Sequence, residues 1–157
     1  MNDQHIREQL INALTKQQAY QMFDDVIKDF PPEHYNTFPT NVPYSFWHLL
    51  EHIRIAQWDI LEYIVNPDYQ GRDWPAEYWP TPDSKATQDM WQNTVSGFRS
   101  DLQTLVQIVE DPQRDLCAQI PHAHPGHTIL REINVVATHN AYHIGEMGIL
   151  RQVMGLW

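Results

Sequence analysis

Apolar residues recur along this chain at helical spacing, and prolines divide the pattern into four long segments. The first is predicted as a helix from about Gln4 to Phe30, with Ile6, Leu10, Leu14, Phe23, Val26 and Phe30 inward and Pro31-Pro32 as its stop. A second runs from about Ser45, a suitable N-cap, to Val65, carries the stripe Leu49, Ile53, Ala56, Ile60 and Ile64, and ends at Asn66-Pro67. The third spans roughly Asp83 to Glu110. Its apolar positions, Trp91, Val95, Phe98, Leu102, Leu105 and Val109, alternate steps of four and three as in a bundle seam. The fourth runs from about Thr128 to Met154 and stops at Gly155. No stretch alternates at period two, so no sheet is expected. The pattern predicts an all-α protein, a four-helix bundle forming a single domain over residues 1–157.

Two connections have unusual compositions. Residues 68–82 carry Trp74, Trp79, Tyr69, Tyr78 and three prolines, too stiff and aromatic for solvated slack. Such a segment suits covering one end of the bundle, lining a pocket mouth or meeting another subunit. Residues 121–127 hold His122, His124 and His127, which as loop histidines are expected to be solvated.

On the last helix His139 and His143 stand four apart, separated by only about 40° and about 6 Å, so both rings can address one ion. They share a face with Val136, Met147, Leu150 and Met154, which turns them toward the core. Buried imidazoles without partners leave nitrogens unsatisfied, and a shared metal removes that cost. The alternative is a pair of core histidines bonded to helix carbonyls or a carboxylate. The second helix offers His48 and His52 at the same spacing. His52 borders the apolar stripe and is the better third ligand, whereas His48 turns toward Glu51, Asp59 and Glu62 and is expected to be half-exposed. Three neutral imidazoles suit zinc, nickel or iron(II), and three protein ligands leave positions open, as in catalytic sites. Glu132 shares the face of His139 two turns away, too far to ligate but a candidate pocket carboxylate. His5 and His34 lack companions. Cys117 has no nucleophile signature, and no His-Glu-x-x-His occurs, which argues against a zincin protease.

Charge and composition narrow the partners. With 20 acidic against 10 basic side chains the formal net charge is −10, which repels phosphates, so nucleic acid is a poor partner. No apolar run is long enough to span a membrane, and the first residues lack a signal peptide's pattern. With one cysteine, which cannot form an internal disulfide, these features make the cytoplasm the expected location.

The segment His139-Asn-Ala-Tyr-His143-Ile-Gly-Glu146-Met-Gly-Ile-Leu-Arg-Gln-Val-Met-Gly155 resembles the His-x-x-x-His-x-Gly-Gln motif of the DinB/YfiT-like superfamily of metalloenzymes. Leu49-Leu-Glu-His52-Ile-Arg-Ile-Ala-Gln57 resembles that family's first ligand helix, and helix order extends the likeness over essentially the whole chain. The resemblance implies an up-up-down-down bundle, a divalent metal on His52, His139 and His143, and often a homodimer. Relatives transfer or isomerise groups using low-molecular-weight thiols such as bacillithiol or mycothiol. The chain departs from the pattern at Glu146, where glutamine is common, and His48 is an extra.

Three functions remain open: a metal-dependent thiol S-transferase acting on a small electrophile, with Trp74, Tyr78 and Trp79 as pocket walls; a hydrolase activating water at the metal, with Glu132 or His48 as proton carrier; and a bundle that binds metal or ligand without catalysis.

Overall fold

A computed structural model describes residues 3–157. It has five α-helices: α1 (Asp3–Thr15), α2 (Phe23–Ile27), α3 (Phe46–Val65), α4 (Gln88–Glu110) and α5 (Ile129–Val153). Among the described residues there is no strand, only an isolated bridge between Gln119 and Thr128, so the all-α expectation holds.

The expected first helix is two helices. Leu14 and Phe23 are nine positions apart, about 900° of α-helical rotation, so one continuous helix would put the two on opposite faces. The polar run from Thr15 to Gln18 offers nothing to bury there. Breaking the helix lets α1 bury Leu10 and Leu14 in one cluster and α2 bury Phe23 and Val26 in another. α4 begins at Gln88 rather than Asp83, because Asn36 bonds both the N–H and the carbonyl of Ala86, and Thr87 caps the helix through its bond from Met90 N. Ser45 caps α3 as expected, and Gly155, at φ 70°, ends α5.

Contacts between helix ends give the directions. Trp47 near the start of α3 donates to Thr94 in α4, Gln57 further along α3 donates to Phe98 O further along α4, and Ile64 and Val109 near their far ends share one cluster, so α3 and α4 run parallel. Ile129 and Ile133 of α5 pack with Ile64 and Val109, and Met147 and Leu150 with Phe46 and Leu49. α5 therefore runs against both. Arg7 in α1 donates to Val109 O at the end of α4, 2.7 Å away. The order is up-down-down-up, which corrects the up-up-down-down expectation. A parallel α3–α4 pair obliges residues 66–87 to return the length of a 20-residue helix, about 30 Å. The aromatic segment is this crossover, laid along the bundle rather than over one end.

Gly148 allows close approach, since an added Cβ would meet the side chain of Gln21, whereas at Gly145 it would meet nothing. No helix among the described residues is long and apolar enough to cross a membrane.

Candidate metal centre

His52 lies on the second turn of α3, and His139 and His143 lie one turn apart on α5. Side chains four apart on a helix stack on one face, so antiparallel packing of α3 on α5 brings three rings together. One ligand atom from each lies within 4.8 Å of the other two, the one such group of histidine, cysteine or acidic residues among those described. Just beside it, Asn140 Nδ2 donates to Gln57 Oε1 (2.9 Å), and Gln57 Nε2 donates to Phe98 O (2.7 Å). This buried relay ties α5 to α3 and α3 to α4, fixing the register on which the convergence depends.

Two of the rings are oriented from behind. His52 Nδ1 is 2.7 Å from the Tyr78 carbonyl, which can only accept, so Nδ1 carries the proton. His143 Nδ1 donates to Glu146 Oε2 at 2.6 Å. When both rings are neutral, both Nε2 atoms are left as lone pairs, and they face each other 3.2 Å apart. Burial lowers the His52 pKa, against the pull of its bond to Tyr78. Burial, then the neighbouring His143 and His52 rings, holds His139 down at about 4, so it is neutral at pH 7.

Opposed lone pairs in a buried site repel unless a proton or a metal ion lies between them. Two nitrogens bound to one zinc at about 2.0–2.1 Å stand roughly 3.3 Å apart at the tetrahedral angle, close to the observed 3.2 Å. His139 Nδ1 is a further buried nitrogen without a partner. The donor set, its tautomers and its spacing therefore fit a divalent transition metal.

Aromatic rings surround the cluster. Trp79 lies flat on His52, with centroids 3.9 Å apart and planes 4° apart, Tyr44 stacks at 5.3 Å on Trp79, and Tyr142 meets His143 edge-on at 4.8 Å. Trp79 thus lines the site, as one reading of the aromatic segment expected. Trp74 instead is exposed and packs against Tyr78.

The remaining expected residues lie elsewhere. His48 is 3% exposed rather than half-exposed. Its Nδ1 pairs with Ser45 Oγ (2.7 Å) and its Nε2 with the Thr81 carbonyl (3.2 Å), because the crossover folds over that side of α3. Glu132 is buried, but its carboxylate is taken up by Arg131 (2.6 Å) and lies 3.4 Å from His127, away from the triad. His127 also bonds the Tyr63 hydroxyl and His122 the Tyr63 carbonyl, so these two loop histidines are partly buried while His124 is exposed. Cys117 is exposed and free.

Three supporting groups escaped the sequence reading. Glu146 departs from the family motif, yet its place three residues after His143 puts it beside that ring. Asp59, assigned to the polar side of its helix, is buried; it stands seven positions after His52, nearly in line with it. The Tyr78 carbonyl is a backbone atom and leaves no residue-type signal.

No curated protein and no solved structure gives a significant match. Residues 16–147 match the sequence profile of the DinB superfamily, a span that contains all three histidines and most of the chain, and the protein belongs to that superfamily.

Proposed function

We propose that this protein is a metal-dependent enzyme, its divalent ion held by His52, His139 and His143, that transfers a small electrophilic group to a low-molecular-weight thiol. The observation that carries the reading is the 3.2 Å approach of two Nε2 atoms whose Nδ1 atoms are already committed to oxygen acceptors, with His139 beside them. When bound, the ion supplies positive charge that lowers the pKa of a nearby thiol toward neutrality.

The chain's own groups do the rest. Tyr78 and Glu146 fix the tautomers that turn Nε2 inward. Trp79, Tyr44 and Tyr142 give the surroundings an apolar, aromatic wall suited to an uncharged electrophile. In the transfer, sulfur bonds to the electrophilic carbon, the leaving group departs with the bonding pair, and the thiol proton passes to solvent. A hydrolase needs a proton carrier beside the reacting water; its two candidates, His48 and Glu132, have their polar atoms engaged elsewhere, which favours the thiol reading.

Zinc or nickel suits three imidazoles best, with iron(II) a further option. The free thiol of Cys117 suits the cytoplasm. A homodimer through α5 is supported by its exposed Tyr142, Ile149 and Val153, which lie on one helical face.

Elemental analysis is expected to give about one metal per chain, lost in His52→Ala and His143→Ala. Metal-loaded protein should consume a chromogenic electrophile only with thiol present, and a chelator should abolish turnover. Turnover without thiol would favour the hydrolase; metal binding without turnover would favour the non-enzymatic alternative.

A further inference from the structure

Asp59 is a buried carboxylate whose partners all come from the crossover. The Tyr78 hydroxyl donates to it at 2.6 Å and the Tyr69 hydroxyl at 3.0 and 3.1 Å, and Arg72 Nε lies 3.7 Å away. Among the described residues no helix of the bundle supplies it with a donor. A carboxylate taken from water is destabilising unless donors satisfy it, so Asp59 organises the segment that passes over it rather than the bundle beneath.

Tyr78 connects this clamp to the triad. Its hydroxyl is fixed at Asp59, while its carbonyl accepts from His52 Nδ1, two turns back along α3. One residue therefore spans both groups, and the next, Trp79, lies flat on the His52 ring. Holding the Tyr78 side chain at Asp59 sets where its carbonyl sits, and the carbonyl sets the His52 tautomer.

We propose that Asp59 is a positioning residue for the metal centre: by clamping the Tyr78 hydroxyl it holds the carbonyl that orients His52. The inference rests on the proposed metal site, and it gives the crossover a function beyond joining two parallel helices. Tyr69 serves as an internal comparison, since it bonds the same carboxylate but has no backbone contact with His52.

The test is cobalt(II) titration of the full chain, read by visible absorption and by competition with a chromophoric chelator, beside the melting temperature of metal-free protein. Tyr78→Phe is expected to weaken cobalt affinity about tenfold, the lower end of the range for groups behind a ligand, and to alter the cobalt spectrum. Asp59→Ala should weaken it at least as much. Tyr69→Phe should lower the metal-free melting temperature about as much as Tyr78→Phe, with affinity changed by no more than about twofold. Should Asp59→Ala not fold, Tyr78→Phe carries the test, since it removes one oxygen only. Wild-type affinity and spectrum in Tyr78→Phe would overturn the proposal, as would equal losses in the two tyrosine variants, which would mark the clamp as merely structural. Folded wild-type protein that takes up no cobalt would remove the metal reading itself, and this inference with it.

Discussion

Glu146→Ala tests whether the triad is prepared from behind. The carboxylate accepts from His143 Nδ1 at 2.6 Å, with side-chain exposures of 30% for Glu146 and 11% for His143, a short charge-assisted bond in a partly dry setting. Its loss frees the ring to rotate and removes the negative charge that makes Nε2 a better donor. Groups in this relation to a metal ligand change affinity by about 10–100-fold, or roughly 1.4–2.7 kcal/mol. Glu146→Gln keeps an acceptor oxygen without the charge and should fall between wild type and alanine. The assay is competition for zinc against a chromophoric chelator at pH 7.5 and fixed ionic strength. Metal-free stability should scarcely change, since a partly exposed pair within one helix contributes only about 0.5 kcal/mol. The reasoning is refuted if alanine binds zinc within about twofold of wild type, or if glutamine loses more than alanine.

Two further outcomes are expected. Burial lowers the His139 pKa to about 4, below the ordinary 6.5, so the unfolded chain binds more protons between those values; metal-free stability should therefore fall as pH drops from about 6.5 to about 4 and level off below. Melting temperatures in chelator should show this slope, reduced in His139→Gln; an unreduced slope would assign it to other groups. Arg7 is buried and donates to the carbonyls of Val109, Asp111 and Arg114 at 2.6–2.8 Å, so Arg7→Met should cost about 2–4 kcal/mol in urea unfolding by leaving these acceptors unmet; a loss under about 0.5 kcal/mol would mean that water replaces the guanidinium.

The sequence by itself determined the three long helices α3, α4 and α5 and singled out the three histidines. Helical periodicity is a local property, and burial rewards any stripe that keeps it: the seam from Trp91 to Val109 is apolar at the spacing that buries it. The spacing of His139 and His143 fixed their common direction before any packing was known. The break between α1 and α2 was not read from the sequence: Leu14 and Phe23 are expected on one inward face although they stand half a turn out of phase. Helix direction was not legible either, because a periodic stripe reads the same whichever way its neighbour runs. The parallel pairing of α3 and α4 arises from long-range contacts such as Trp47 with Thr94 and Gln57 with Phe98. That pairing sends the crossover back along the bundle, which buries His48, satisfies Asp59 and delivers the Tyr78 carbonyl to His52. The identity of the clustered rings is written in side chains, whereas the orientation of His52 depends on a backbone oxygen contributed from 26 residues away, which only the folded chain brings into place.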